Sequence, residues 1–308
     1  MLEYFILIGK QVLLLLLMMC VGFFCGKKRI FTDGTVRELN RFVALFVITM
    51  TAISGMQIPF TPARLLSFGL GILLATGIHI FDFGVAWALF RKQPKRTRGL
   101  LSTAAALTNA GFIGFPIMTA VIGAEGLFYG MPYGLFLNFF AWTFGAAFIS
   151  GDRRNASLKK VITNPTVIVC LAALALFVLD IRLPELTMEF MSYFVNMNMA
   201  VPMIITGYYL SKTDLKAVVL NKGTWTFSLV RLILLPLLTM GILWLLGLRG
   251  DLFLAGAIAN AVPPAAYIVI LSTHFNNHTQ RASELSSFTT LLSVVTLPFI
   301  LTLATLMA

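Results

Sequence analysis

Charged residues are scarce in this sequence. Of its 308 residues, 11% are Asp, Glu, Lys or Arg, whereas 58% are hydrophobic and the mean hydropathy is +0.90. Soluble globular domains carry about 25% charged residues. A chain this apolar has too little polar surface to cover a soluble fold. The composition therefore predicts an all-α polytopic membrane protein.

Cysteine and histidine are also rare, with three residues of each. Cys20, Cys25 and Cys170 lie in apolar segments without CxxC spacing, which disfavours a disulfide framework and a metal site. The patterns GxxxxGK[ST], HExxH and GxSxG are absent, which excludes the common ATPase, metalloprotease and hydrolase motifs. We expect no enzyme activity, no metal and no cofactor.

Long apolar runs fill most of the chain. A membrane-spanning helix needs about 20 residues, and ten runs approach or exceed that length. They are Tyr4 to Cys25, Leu39 to Met56, Leu65 to Phe90, Leu100 to Ile122, Leu127 to Ile149, Val161 to Leu179, Phe190 to Leu210, Thr224 to Leu246, Leu252 to Thr273 and Leu285 to Met307. Because the connections are short, the sequence predicts a single membrane domain over residues 1–308.

Basic residues concentrate in every other connection, which explains the net charge of +11 without nucleic acid as a partner. By the positive-inside rule these connections face the cytoplasm, beside the lipid bilayer. The basic cluster 27–29 follows the first apolar run, so we expect a retained helix and no signal peptide. The prediction is a multi-pass protein of the cell membrane with both termini extracytoplasmic.

The chain divides into two halves of five segments, about 1–150 and 160–308. An odd number of spans per half places the halves in opposite orientations, as in inverted-repeat transporters. Two similar motifs, one in each half, agree with this division. Asn109 in "TNAGFIGFP" is followed 151 positions later by Asn260 in "ANAVPPAAY", and each lies in the fourth segment of its half.

Both of these segments contain helix-breaking residues. They are Gly111, Gly114, Pro116, Pro263 and Pro264. Unpaired backbone groups are costly in lipid, so broken helices are tolerated where they line a cavity or are buried in protein. Matched breaks indicate a binding site near the midplane, where helix N-termini and the two Asn amides could hold an anion. The alternative is a pair of proline kinks that only shape packing.

The string Asn109-x-Gly111-Phe112-x-Gly114-x-Pro116, with Asn260 before Pro263-Pro264 and ten spans in two inverted halves, resembles the auxin efflux carrier family. That family includes plant auxin exporters and bacterial malonate or malate permeases. Its fold is similar to those of bile-acid transporters and sodium/proton antiporters. The middle connection is short here, as in compact bacterial members.

The resemblance implies that segments four and nine cross as broken helices in a mobile transport domain, which binds the carboxylate of an organic anion. Segments one, two, six and seven would form a scaffold, and segments two and seven would meet a second subunit in a homodimer. The implied substrate-binding residues are Asn109, Gly111, Gly114, Pro116, Asn260, Pro263 and Pro264. Tyr267, seven residues after Asn260, is a further candidate that could instead pack as an aromatic.

Ionisable residues within spans are functional candidates because they are costly in lipid. Asp82 and Arg231 lie at similar depths, about 10–12 Å from the basic side. They could brace the broken helices as a structural pair, or Asp82 could couple transport to protons. His79 shares a face with Asp82 and could relay protons or pack. Asn198 could face the cavity or hydrogen-bond across helices.

We therefore expect a secondary active transporter that moves a small mono- or dicarboxylate by elevator-type alternating access, with coupling to protons or sodium open. One alternative is a sodium/proton or other cation exchanger, but no second acidic residue accompanies the breaks. Another is a membrane anion sensor or receptor, which the lack of a signalling domain in these residues disfavours.

Overall fold

The chain is helical almost throughout. The computed structural model describes residues 2–308, with side chains from residue 3 onward. The α-helices are α1 (Leu2–Lys27), α2 (Asp33–Phe42), α3 (Ile48–Gly55), α4 (Pro62–Leu89), α5 (Lys95–Ala106), α6 (Phe115–Ile122), α7 (Gly126–Phe140), α8 (Ala146–Ser150), α9 (Leu158–Ile162), α10 (Pro165–Val178), α11 (Glu185–Lys212), α12 (Leu215–Leu220), α13 (Lys222–Leu229), α14 (Leu235–Leu245), α15 (Gly250–Ala261), α16 (Tyr267–His274) and α17 (Thr279–Met307).

Four π-helical stretches continue these helices without a gap. They are Val43–Val47, Ala110–Gly114, Ala141–Gly145 and Val230–Leu234. Three of them join consecutive α-helices into single long helices, namely α2 with α3, α7 with α8 and α13 with α14. The fourth precedes α6. Widened turns of this kind are frequent at functional sites.

Within residues 2–308, five helices are long and apolar enough to cross a membrane. They are Glu3–Lys27, Pro62–Leu89, Gly126–Ser150, Lys222–Leu245 and Thr279–Met307. A sixth is obtained if Arg153–Ile162 and Pro165–Val178, which meet at a bend of 45°, are counted as one span. The structure is therefore that of a multi-pass helical membrane protein. Crossing by all ten predicted segments stays a prediction.

The sixth predicted segment differs from its prediction, since the expected continuous run from Val161 is interrupted. Asn164 caps a new helix, its side-chain oxygen accepting a hydrogen bond from the Thr166 N–H at 2.9 Å. Pro165 occupies the first position of that helix, where its missing N–H costs nothing. The Asn-Pro pair thus sets the bend, and a hydrophobicity window does not detect it.

The first helix packs most closely against α11. A Cβ atom on Gly22 would collide with the carbonyl of Ile204, and one on Gly207 with the carbonyl of Met19. These glycines let two helix backbones touch directly, as small residues do in membrane helix pairs. Elsewhere in the bundle α4 packs against α5 and α7, and α14 packs against α15.

Candidate functional site

The fourth segment is broken where its sequence predicts weak helix. Helix α5 ends at Ala106, and residues 107–109 leave the helical path before the π-helix begins at Ala110. The carbonyl of Asn109 accepts the N–H groups of both Ile113 and Gly114, at 3.1 and 3.3 Å. Pro116 follows directly after the π-helix, inside the continuous helix 110–122, where its missing N–H leaves one helical hydrogen bond unformed.

The ninth segment is broken in the same manner. Helix α15 ends at Ala261, residues 262–266 are unwound, and α16 begins at Tyr267. Pro263 and Pro264 lie in the unwound part. Neither can donate a backbone hydrogen bond, so a continuous helix would lose two bonds and gain steric clashes at this point.

The two breaks pair with each other. The Asn109 N–H donates to the Pro263 carbonyl at 2.8 Å, and the Ala265 N–H donates to the Leu107 carbonyl at 2.7 Å. Thr108 and Pro264 form an isolated antiparallel bridge between them. We call residues 107–109 and 262–266 together the crossover. Their mutual hydrogen bonds satisfy backbone groups that the interrupted helices leave free, as a protein interior in lipid requires.

A buried polar cluster lies on one side of the crossover and consists of Asp82, Arg231, Thr239 and Asn260. The Arg231 guanidinium donates to Asn260 Oδ1 at 2.7 Å, to the Val262 carbonyl at 2.7 Å and to the Asn260 carbonyl. These acceptors lie at the C-terminal end of α15, where carbonyls lack helical partners and the helix dipole favours a cation. Arg231 therefore caps the first half of the broken ninth segment.

Asp82 joins this cluster mainly through Asn260. The Asn260 amide donates to Asp82 Oδ1 at 3.4 Å and to Thr239 Oγ1 at 2.5 Å. Asp82 Oδ2 lies 4.0 Å from Arg231 Nη1, and both side chains are fully buried. The predicted meeting of Asp82 and Arg231 is thus observed, with Asn260 placed between them.

His79 lies one turn before Asp82 on α4 and packs against an aromatic ring. Its Nδ1 is 2.7 Å from the Ala75 carbonyl, and its ring stacks parallel to that of Phe140 at a centroid distance of 4.8 Å. Among the described residues, four buried atoms in this region lack a hydrogen-bond partner. They are His79 Nε2, Asp82 Oδ2, Tyr133 Oη and Arg231 Nε.

A cavity of about 170 Å³ lies on another side of the crossover and is called the crossover cavity. The break residues that line it are Asn109, Gly111, Phe112, Ala265, Ala266 and Tyr267. Helices α2, α3, α7, α10 and α11 complete the wall, with Asn40, Thr51, Asn138, Thr166 and Asn198 as its other polar side chains. No Asp, Glu, Lys, Arg or His of the described chain lines it.

Two helix N-termini point to the crossover cavity. The first N–H groups of a helix have no partner within that helix, and Gly111 and Phe112 provide them at the start of the helix 110–122. Ala266 and Tyr267 provide them at the start of α16. All four residues line the cavity. Unpaired N–H groups and positive dipole ends favour an anion at this position.

Three predicted substrate-binding residues, Asn109, Gly111 and Tyr267, line the crossover cavity. The other five shape the breaks or join the polar cluster, namely Gly114, Pro116, Asn260, Pro263 and Pro264. Asn260 is fully buried, and its amide group is bonded to Arg231, Asp82 and Thr239. The ion-support candidates His79, Asp82 and Arg231 also lie outside the cavity lining.

Two amides in the cavity wall connect separate helices. The Tyr267 hydroxyl donates to Asn138 Oδ1, and the Asn138 amide donates to the Gly134 carbonyl at 3.0 Å. The Asn198 amide on α11 donates to the Gly111 carbonyl at 2.9 Å. Sequence reasoning missed Asn138, although an isolated amide in the apolar α7 was a visible signal.

A second cavity of about 360 Å³, called the vestibule, shares five lining residues with the crossover cavity, namely Asn40, Asn109, Phe112, Ala266 and Ile270. It extends to the ends of α2 and α17 that carry Asp33, Arg37, Ser283 and Ser286. Lys212 and the Tyr208 hydroxyl bind the Asp33 carboxylate and hold its pKa below its usual range. No acidic group of the described residues lies within 4.0 Å of the Arg37 guanidinium.

The described residues include no group of three or more His, Cys, Asp or Glu side chains placed to hold a metal ion. The site instead consists of amides, hydroxyls and backbone N–H groups around two helix breaks. Such groups bind and orient a ligand, and they need no bound metal to do so.

Comparison with known proteins gives the family of this chain. The family model described as membrane transport protein matches residues 7–159 and 153–301. An uncharacterized transporter of Methanothermobacter thermautotrophicus is 26% identical, over 74% of this chain and 75% of that protein. The uncharacterized transporter YfdV of Escherichia coli K12 is 23% identical, over 97% of each chain. The chain therefore belongs to the membrane transport protein family, that of the auxin efflux carriers, and is a membrane transporter.

Proposed function

We propose that this protein is a secondary active transporter of a small organic anion, a mono- or dicarboxylate, which binds in the crossover cavity. The observation that carries the proposal is the convergence of two helix N-termini on a cavity without acidic side chains. Unpaired N–H groups of Gly111 and Tyr267 would receive the carboxylate, and Asn109 would orient it.

The proposed architecture is ten spans in two inverted halves. It is supported by two breaks 151 positions apart, each in the fourth segment of its half, and by their mutual pairing. Transport would be of the elevator type, in which the two broken segments, α5 with α6 and α15 with α16, move together with α4, α7 and α14 against a scaffold. The close glycine contact of α1 with α11 supports a rigid scaffold.

The walls of the crossover cavity support this division into a moving part and a scaffold, because helices of both parts contribute to them. Residues of α2, α10 and α11 face residues of the crossover across the cavity. A ligand held at the crossover would therefore be carried past the scaffold wall. The Asn198 hydrogen bond to Gly111 crosses the same boundary, so it would break when the broken helices move.

The vestibule indicates the side of the membrane to which the crossover cavity opens in this conformation. It joins the crossover cavity to the end of the molecule where the basic connections lie. By the positive-inside rule this end is cytoplasmic in the cell membrane, and both termini are extracytoplasmic. The state would be inward-open, with Arg37 at the vestibule wall attracting the anion.

The proposed homodimer uses segments two and seven. Phe46 on the π-helical part of segment two, and Phe190 and Tyr193 on α11, expose about half of their side chains. Aromatic side chains are enriched at protein interfaces, which supports this surface as the contact. Crosslinking between cysteines placed at position 193 of two protomers in native membranes tests it.

The test of the function is counterflow in proteoliposomes containing the purified protein. A panel of mono- and dicarboxylates is offered while pH and sodium gradients are imposed separately. We expect the wild-type protein to exchange at least one carboxylate, and we expect the Asn109→Ala variant to lose exchange of that carboxylate. The matched control is Asn196→Ala, which removes an exposed amide of the same helix α11 that does not line the cavity. Failure of every carboxylate to exchange would refute the proposal.

A cation exchanger with Asp82 as the carrier is the second candidate, because Asp82 Oδ2 is buried without a hydrogen-bond partner. The position of Asp82 outside the cavity lining favours a bracing role instead. The variant Asp82→Asn distinguishes the bracing role from the carrier role. A bracing carboxylate predicts lower thermal stability with an unchanged pH profile of carboxylate exchange, whereas a proton carrier predicts loss of the pH dependence.

A further inference from the structure

A large cavity lies at the basic end of the molecule, away from the crossover. Its volume is about 590 Å³, and it shares no lining residue with the crossover cavity or the vestibule. The end of α4, the start of α5, the start of α13 and the start of α17 enclose it. We call it the basic groove.

The polar part of the basic groove is cationic. Lys92 and Arg281 line it, and no acidic residue of the described chain does. Arg281 is fixed by hydrogen bonds to Thr224 Oγ1 at 2.7 Å and to Glu284 Oε2 at 3.2 Å. Among the described residues, Lys92 has no acidic group within 4.0 Å. Glu284 offsets part of the Arg281 charge, which leaves Lys92 as the unneutralised cation.

Hydrogen-bonding groups surround these two cations. Gln93, Thr97, Asn221 and Thr226 line the groove with amides and hydroxyls. The Thr226 hydroxyl already donates to the Lys222 carbonyl. The ammonium and guanidinium groups, the side-chain amides and the Thr97 hydroxyl are the donors of the kind that a phosphate group requires. An anion with several acceptor oxygens therefore fits this part of the groove.

The groove also has an apolar part, which extends toward the membrane interior. Leu89, Phe90, Leu101 and Val230 form it. Val230 lies eight residues after the start of α13, which corresponds to about 12 Å of depth along the helix. Leu89 is 49% exposed at the end of α4, so this wall is open to the side, where lipid lies.

We propose that the basic groove binds an anionic phospholipid. The headgroup phosphate contacts Lys92 and Arg281, and the first part of an acyl chain lies against Leu89 and Val230. A basic pocket between membrane helices on the cytoplasmic side is a recognised form of lipid headgroup site. Free phosphate would use the polar part alone, and it would leave the apolar wall without a partner.

The arrangement has a consequence for the transporter. The lipid would contact α4, α5, α13 and α17 at the basic end of the bundle. It would hold the ends of these helices together at the basic side. Deeper in the bundle, Asp82 on α4 and Arg231 between α13 and α14 are both joined to Asn260 on α15. Bound anionic lipid should therefore stabilise the folded protein.

The test uses the full-length protein, delipidated in detergent, with thermal melting and native mass spectrometry as readouts. Short-chain phosphatidylglycerol, short-chain phosphatidylcholine and sodium phosphate are added separately. We expect only phosphatidylglycerol to bind in one-to-one ratio and to raise the melting temperature. In Lys92→Glu, the concentration of phosphatidylglycerol that gives half of the maximal stabilisation should rise by about ten-fold or more, since the substitution reverses a charge that contacts the headgroup.

Two further variants make the result specific to the groove. Lys95→Glu changes an exposed lysine of the same connection that does not line the groove. It should shift the phosphatidylglycerol concentration for half-maximal stabilisation by less than about two-fold. Val230→Trp fills the apolar part and should weaken lipid binding while both cations remain. Equal losses in Lys92→Glu and Lys95→Glu would overturn the proposal in favour of diffuse surface charge. Equal stabilisation by sodium phosphate would overturn it in favour of a free-anion site.

Discussion

Arg231 holds the end of the first half of the ninth segment. Its guanidinium donates to two backbone carbonyls and to Asn260 Oδ1, and Asp82 is its nearest acidic group. A helix end in a dry interior needs such a donor, because no water replaces it. Arg231 therefore stabilises the break directly, and the charge on Asp82 balances the buried cation.

Arg231→Gln should destabilise the protein by about 3 to 5 kcal/mol, because Asp82 becomes a buried charge without compensation. Arg231→Lys should be intermediate, since a lysine keeps the charge but not the planar fork of donors. Thermal melting in detergent measures both. The double variant Asp82→Asn with Arg231→Gln should be more stable than Arg231→Gln alone. A double variant whose loss equals the sum of the single losses would contradict this coupling.

The Tyr267 hydroxyl should contribute to ligand affinity through Asn138. Tyr267→Phe keeps the ring in the cavity wall but removes the hydrogen bond to Asn138 Oδ1, which leaves that amide less constrained. A lost hydrogen bond of this type is worth about 1 kcal/mol, or roughly five-fold in binding. Equilibrium binding of the transported carboxylate measures the change. Tyr193→Phe, on the exposed face of α11, is the control and should leave affinity unchanged.

At the scale of single elements, the two prolines keep α15 and α16 separate. A proline inside a helix costs about 3 kcal/mol, so Pro263 and Pro264 together oppose a continuous ninth helix strongly. The break in turn exposes the N-terminus of α16 to the crossover cavity and frees the Pro263 carbonyl for Asn109. Without the prolines the chain could recover helical hydrogen bonds at the expense of the site.

Replacement of both prolines by alanine should reduce carboxylate exchange by more than about ten-fold, while the melting temperature falls little or rises. The matched control is Pro298→Ala in α17, a proline inside a helix that lies outside the crossover. It should retain exchange. Full exchange by the double alanine variant would show that the unwound geometry is not required for transport.

At the scale of the whole molecule, sequence periodicity and composition show which segments are helical and where two of them break. Asn109, Pro116, Pro263 and Pro264 are visible because weak helix formers are unusual in apolar runs. The depth of Asp82 and Arg231 also follows from counting residues. The direction in which each side chain points does not follow, because it depends on the rotation of each helix in the packed bundle.

Asn260 illustrates that limit. Its spacing from Asn109 suggests a matched pair of ligands, yet the rotation of α15 turns its amide toward Arg231, Thr239 and Asp82. Asn138 is visible as an isolated amide in an apolar run, but the sequence does not show that it faces a cavity, and nothing in the local sequence distinguishes Arg37 from a cation at the surface. Only the packing of α7 and α2 around the crossover assigns them to the two cavities.

The direction in which the vestibule opens can be tested with one cysteine. Ser286 lines the vestibule, and its replacement by cysteine in a background with Cys20, Cys25 and Cys170 changed to serine provides a single thiol. A membrane-impermeant maleimide should label Ser286→Cys faster in inside-out vesicles than in right-side-out vesicles, because the vestibule joins the basic end of the molecule. Added carboxylate substrate should slow labelling by occupying the connected cavity.

The control for this labelling is Glu185→Cys, at the start of α11 and at the opposite end of the bundle from the basic connections. It should react faster in right-side-out vesicles, and substrate should not protect it. Reversed sidedness of both thiols would overturn the orientation but not the site, because substrate protection of Ser286→Cys would persist. Equal labelling of Ser286→Cys from both sides would show that the crossover cavity exchanges between inward and outward access on the labelling timescale, as an elevator requires.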